Sequence, residues 1–163
     1  MTKHQKKEIM QILQTVEDPE IPVLSILDLG IVRKVNVVEA NKALITITPT
    51  YSGCPAMDMI AVNIKAALQE VNWESEIKTV LSPAWTTDWI TEEGKRKLKE
   101  YGIAPPIAKT TDTALLLNEF RKVPCPRCQS SSTKMISQFG STACKSLHQC
   151  NDCLEPFDYF KCH

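Results

Sequence analysis

Seven cysteines are spread unevenly over the 163 residues of this chain, and four of them form two pairs with metal-ligand spacing, Cys125-Pro-Arg-Cys128 and Cys150-Asn-Asp-Cys153. Two thiolates separated by two residues can hold one ion from a single tight turn, so two such turns supply the four sulfurs of a tetrahedral Zn2+ site. The same spacing also admits a disulfide pair, which needs an oxidising compartment, or an iron site of similar ligation. A fifth cysteine stands apart in Thr48-Pro-Thr-Tyr-Ser-Gly-Cys54-Pro55, where a strand should give way to a helix. Pro55 suits the first helical position, which makes Cys54 the expected N-cap, where free N–H groups and the helix dipole favour a thiolate. A cysteine so placed can act as a nucleophile, a redox group or a ligand to a metal or cluster; the alternative is a buried structural thiol.

The elements that must position these sulfurs are legible in outline. Between the two pairs lie 21 residues, Gln129 to Gln149, enough for a β-hairpin with Lys134-Met-Ile-Ser and Ser146-Leu-His-Gln as strands and Phe139-Gly-Ser-Thr as the turn. Phe157-Asp-Tyr-Phe supplies a third strand, which completes a zinc ribbon whose folding the metal must drive, at about 10 kcal/mol, because so small a module buries little apolar surface. Upstream, Ile9, Ile12, Leu13 and Val16 share one face of an opening helix that must stop before Asp18-Pro19. Ile31 to Val38 and Ala43 to Thr48 read as a hairpin turning at Glu39-Ala-Asn-Lys. Ile60, Ala61, Ile64, Leu68 and Val71 predict an amphipathic helix from Met57. Trp73 to Leu81 predicts a strand, and a last helix runs from about Glu92 to Tyr101 with Gly102 as its left-handed cap. The fold class is α+β: a small mixed sheet with helices on one face, followed by the C-terminal ribbon.

Composition divides the chain. Six of the seven cysteines follow Pro124, while most long apolar runs precede it. Gly102-Ile-Ala-Pro-Pro reads as a helix stop, so the expected organisation is a core domain over 1–104, a connector over 105–122 and the ribbon over 123–163. Lys+Arg and Asp+Glu both number 19, which gives no global drive toward nucleic acid or an anionic membrane. From Phe120 onward six Lys/Arg face three Asp/Glu, but a tetrathiolate zinc carries two negative charges that largely offset the excess. No apolar run approaches the roughly 18 residues of a membrane span, the N-terminus is polar, and a reducing cytoplasmic location is expected.

Other segments carry candidate residues. Asp18-Pro-Glu20-Ile-Pro and Asp28-Leu-Gly place acids beside turns, so Asp18, Glu20, Asp28 and Thr50 are candidates to line a pocket near Cys54; equally, Asp18 and Asp28 can serve backbone donors of their own turns. Trp85 and Trp89 stand in one short aromatic loop that suggests a partner surface or the packing between two domains. His148 lies beside Cys150, but the two cysteine pairs already complete a site.

Asp18-Pro-Glu-Ile-Pro, Asp28-Leu-Gly-Ile-Val and Thr48-Pro-Thr-Tyr-Ser-Gly-Cys-Pro together resemble the iron–sulfur-assembly domain of SufT-type proteins. With Pro83-Ala-Trp-Thr-Thr-Asp-Trp, Tyr101-Gly-Ile-Ala-Pro-Pro, Cys125-Pro-Arg-Cys, Phe139-Gly-Ser-Thr-Ala-Cys-Lys and Glu155-Pro-Phe-Asp-Tyr-Phe-Lys-Cys, nearly the whole chain is similar to the D-subunit (PaaD) family of the bacterial ring-1,2-phenylacetyl-coenzyme A epoxidase systems. The resemblance implies an accessory role in aerobic phenylacetate breakdown: maturing the iron–sulfur cluster of the reductase or the di-iron centre of the oxygenase, with those subunits as partners, self-association as a further arrangement, and neither nucleic acid nor membrane. It places cluster handling on Cys54 alone. The Glu and Glu-x-x-His set of a di-iron site and a glycine-rich dinucleotide fingerprint are both missing, so intrinsic catalysis is not expected. Two other readings stand beside it, a structural docking subunit of the oxygenase and a nucleic-acid-binding ribbon. Cys144 and Cys162 remain once the ribbon has its ligands; the expectation is that one or both approach Cys54 to form a labile cluster or iron site, against the alternative that both are small core thiols.

Overall fold

A computed structural model describes residues 3–107 and 122–161, which divide at Gly94 into two compact units. The first unit contains α1 (Lys3–Leu13), β1 (Val32–Glu39), β2 (Lys42–Ile47), α2 (Ala56–Gln69) and β3 (Glu74–Thr79). Strands β1 and β2 form the expected antiparallel hairpin, turning through Asn41 at φ 62°. Strand β3 then pairs parallel to β2, so the crossover between them must be long and α2 supplies it. Alternation along β2 buries Ala43, Ile45 and Ile47. The four-residue rhythm of α2 buries Ala56, Ile60, Ile64 and Leu68, and the helix packs on β3 and on α1.

The segment 14–31 has no regular structure, yet Ile21, Leu24, Ile26, Leu29 and Ile31 are buried to 1% exposure or less. A buried irregular backbone needs partners that no ladder provides. Asp18 Oδ1 accepts the N–H groups of Glu20 and Ile21 at 2.8 and 2.9 Å. Asp28 Oδ2 accepts the Ser25 N–H at 3.1 Å while Ser25 Oγ accepts the Asp28 N–H at 3.0 Å, a reciprocal pair that Gln14 joins by donating to Ser25 Oγ at 2.8 Å. Trp85 closes the set: its indole N–H donates to the Leu29 carbonyl at 2.8 Å.

The second unit begins inside α3 (Glu92–Tyr101), which ends at Gly102 with φ 92°, as expected of its left-handed cap. Its sheet has the order β4 (Ile103–Ala104), β7 (Pro156–Phe160), β6 (Lys145–Cys150) and β5 (Thr133–Ser137). The three ribbon strands lie where the sequence places them, and β4 is an addition. Ile103 and Ala104 pair parallel to Asp158 and Tyr159, so residues read as the end of the first domain belong to the ribbon sheet. Two residues between Gly102 and Pro105 are too few for periodicity to register, and their burial at 5% and 1% is a property of the sheet they join. Most of the expected connector over 105–122 falls on residues 108–121, outside the described residues.

Gly30 is the tightest backbone approach in the first unit. It holds φ +68°, and a Cβ there would stand 2.3 Å from the Trp89 carbonyl oxygen. Gly53 has a similar φ of +77° but open space around it. Gly30→Ala should therefore cost at least about 2 kcal/mol, and Gly53→Ala about 1 kcal/mol from backbone conformation alone. Urea unfolding of the two variants, read at the tryptophan emission, measures the difference.

Candidate functional site

The four paired cysteines converge. Their sulfurs all lie within 4.8 Å of one another, with Cys125 Sγ 3.7 Å from Cys153 Sγ and Cys128 Sγ 3.5 Å from Cys150 Sγ. A disulfide would bring two sulfurs to about 2.0 Å, whereas a tetrahedral ion with metal–sulfur bonds of about 2.3 Å sets them about 3.8 Å apart. The separations are those of a metal centre.

Two turns of the same construction create this convergence. In each, the first cysteine's N–H donates to the carbonyl five residues on, Cys125 to Ser130 at 2.9 Å and Cys150 to Glu155 at 3.0 Å. The residue after the second cysteine is left-handed in both, Gln129 at φ 64° and Leu154 at φ 61°. Backbone N–H groups then point at sulfur, from Ser130 to Cys128, from Cys153 and Asp152 to Cys150, and from Glu155 to Cys153. Cross-links fix the pair of turns: Arg127 bonds Glu155 at 2.6 Å, Ser130 donates to Asp152, and the Asn151 N–H donates to the Ser132 carbonyl at 2.8 Å. Beneath them Ala104, Val123, Cys125, Cys150 and Phe157 form a small apolar core.

Without a cation the four thiols cannot ionise together. Donated N–H groups from Cys153 and Asp152 bring Cys150 down to about 7 despite its desolvation. Cys128 receives the Ser130 N–H, but desolvation and the three other sulfurs outweigh it and push the thiol up to about 12. A divalent ion removes that conflict, and the residues present fit one. His148 is not among the ligands.

Cys54 occupies the other site. Helix α2 starts at Ala56, and its N-cap is Pro55, in helical conformation, rather than the expected Cys54. Cys54 closes a turn by donating its N–H to the Tyr51 carbonyl at 3.3 Å, and its own carbonyl accepts the Met57 N–H at 3.2 Å. The sulfur is half-buried and still receives a backbone N–H, from Ala56. The expected acidified thiolate is not what results. Desolvation is the largest influence and pushes the thiol above its ordinary value; the Ala56 N–H and the Tyr51 side chain pull it down, and the charges of Glu20 and Asp18 push it up. Burial, with the charges of Glu20 and Asp18, thus favours the thiol over the thiolate at Cys54.

The remaining candidates separate. Asp18 and Glu20 reach Cys54 electrostatically, while the carboxylate of Asp18 also holds its own turn. Asp28 is 4% exposed and committed to Ser25. Thr50 is half-buried in the loop before Cys54. Trp85 is not a partner surface: it is 5% exposed and its indole is bonded inside the first unit, because a buried carbonyl at Leu29 needs a donor. Trp89 is half-buried, with the Arg33 guanidinium 3.4 Å from its ring centroid, a cation–π contact within the same unit. Cys144 is buried in the second unit with Thr142 Oγ1 3.0 Å from its sulfur, and Cys162 lies outside the described residues. Sequence reasoning missed Tyr51, whose side chain influences Cys54, and Thr48, whose buried hydroxyl has no hydrogen-bond partner. Their only signal was membership of the loop motif that ends in Gly-Cys-Pro.

Comparisons with known proteins divide the chain as its chemistry does. Residues 6–79 match the family model described as iron-sulfur cluster assembly protein, and residues 109–161 match the PaaD zinc beta ribbon domain. A protein of Escherichia coli (strain K12) named as the D-subunit of 1,2-phenylacetyl-CoA epoxidase is 48% identical over 161 residues, covering 97% of this chain and 93% of its own length. The Fe-S protein maturation auxiliary factor YitW of Bacillus subtilis (strain 168) is 36% identical over 92 residues, covering 55% of this chain and 89% of its own. Among solved structures, a domain of unknown function from Bacillus anthracis, DUF59, superposes with a TM-score of 0.55 at 30% identity, over 59% of this chain and 92% of its own. An iron–sulfur-assembly domain carrying its cysteine loop, followed by a four-sulfur ribbon and matched nearly end to end by one relative, places this chain in the PaaD family of phenylacetyl-CoA epoxidase proteins.

Proposed function

We propose that this chain is a non-catalytic accessory protein of phenylacetate catabolism that handles iron or an iron–sulfur cluster at Cys54 for the subunits of a phenylacetyl-CoA epoxidase, while its ribbon holds a structural zinc through Cys125, Cys128, Cys150 and Cys153. The observation that carries the reading is the setting of Cys54: a half-buried sulfur with one backbone N–H on it and the charges of Glu20 and Asp18 near it. Carboxylates that oppose a bare thiolate favour a cation on the same sulfur, so the site is better suited to receiving a metal than to attacking an electrophile. Relatives that cover about half of this chain are named as Fe-S protein maturation auxiliary factors, and the iron-sulfur cluster assembly model matches residues 6–79, which contain this site. Zinc in the ribbon would supply folding energy, and no step at Cys54 depends on it.

Two outcomes test the role of Cys54. After anaerobic reconstitution, wild type should hold iron and acid-labile sulfide that Cys54→Ser loses while keeping its zinc; equal iron in both proteins removes Cys54 from the role. A substoichiometric amount of wild type, but not of Cys54→Ser, should then restore activity to epoxidase subunits purified from a strain lacking this protein.

Glu20→Gln removes a negative neighbour that raises the thiol's pKa. Its iodoacetamide reaction profile should therefore move to lower pH, with the rate at neutral pH rising roughly two- to fivefold, and its iron affinity should fall.

Purified protein should carry about one equivalent of zinc, and stripping it with a strong chelator should unfold the ribbon while leaving the helical signal of the first unit. Zinc analysis and far-ultraviolet circular dichroism check both halves of that statement.

A further inference from the structure

We propose that one face of the ribbon sheet binds a small anion with an apolar, ring-sized body. A cavity of about 700 Å³ opens on this face, and its lining includes none of the four metal-ligating cysteines. Its size lies inside the range of about 300–1,000 Å³ typical of small-molecule sites. The strand register builds its floor. Met135 on β5 stands opposite His148 on β6, and Ser146 on β6 stands opposite Tyr159 on β7, so the four side chains share one face.

The wall is aromatic. The His148 ring stacks on Phe157 at 5.7 Å between centroids with a 23° interplanar angle, and meets Tyr159 edge-on at 5.7 Å. The imidazole Nε2 pairs with Ser146 Oγ at 3.0 Å, which fixes the ring against the sheet.

The rim is cationic. Lys122, Lys134 and Lys161 line the cavity, and no carboxylate does so among the described residues. The acid on the adjacent strand is turned away: Asp158 pairs in register with Leu147 and is held by Ser141 at 3.0 Å and Lys145 at 3.9 Å. Lys161 is itself held in place, donating to the Gln138 carbonyl with its ammonium 4.4 Å from the Phe139 ring centroid. Three ammonium groups around an apolar recess repel one another, and an anion whose body fills the recess relieves that repulsion while burying apolar surface. A carboxylate or a phosphate head satisfies this chemistry equally.

The test uses the full-length, zinc-loaded protein and two dyes of related ring structure, the anionic 1-anilinonaphthalene-8-sulfonate and the uncharged N-phenyl-1-naphthylamine. The sulfonate dye should bind saturably and about tenfold more tightly than the neutral one, and the double variant Lys122→Ala/Lys134→Ala should erase that advantage without altering the neutral dye. Both lysines are exposed, so the variant should keep its zinc and its circular dichroism. Displacement of the sulfonate dye by phenylacetate assigns a carboxylate head, and displacement by pyrophosphate a phosphate head. Equal affinity for the two dyes, indifference to the lysine substitutions, or displacement by neither anion would overturn the proposal.

Discussion

Four sulfur atoms drawn within 4.8 Å of one another are the constraint on which the second half of this molecule turns. Thiols so close cannot all be charged in the absence of a cation, and a small sheet with a handful of buried side chains cannot hold them together by packing alone. Everything around them follows from resolving that conflict. The two turns have the same hydrogen bond from the first cysteine, the same left-handed residue after the second, and N–H groups aimed at sulfur. Those N–H groups lower the cost of a thiolate; a bound cation would remove the rest. Even the apolar core of this unit is built partly of ligands, since Cys125 and Cys150 are members of it.

The first unit solves a different problem. It carries a long irregular segment deep in its interior and must satisfy that backbone without strands or helices. Asp18, Asp28, Ser25 and the indole of Trp85 do so. One consequence reaches Cys54. An aspartate fixed in its turn by two backbone N–H groups is also a fixed negative charge, and after burial and Glu20 it adds a smaller upward push on the Cys54 thiol. Structural and chemical roles are therefore not separable at Asp18: the carboxylate that holds the turn is one that disfavours the bare thiolate.

How far the sequence can be read depends on whether a feature is local. Periodicity located α1, α2, the β1–β2 hairpin and all three ribbon strands, because burial on one face of a helix or strand repeats at a fixed interval. It missed β4, whose two residues have no period and are strand only because β7 offers them an edge. The N-cap fell on Pro55 instead of Cys54, since a proline tolerates both N-cap and first-turn positions. The aromatic loop misled for the same reason that β4 was missed: whether Trp85 faces solvent or a buried carbonyl is settled by a residue 56 positions away.

By itself the sequence determined the four-cysteine cluster of the ribbon, the α+β class and the singular position of Cys54, because cysteine spacing and amphipathic rhythm are written within a few residues of each other. Only the tertiary structure decided which way the pKa of that cysteine is pushed. The helix start pulls its thiol toward ionisation, but burial and two carboxylates brought from the segment 18–20 push it the other way and prevail. Charge acts through space, and the two carboxylates lie more than thirty residues along the chain from the sulfur they influence.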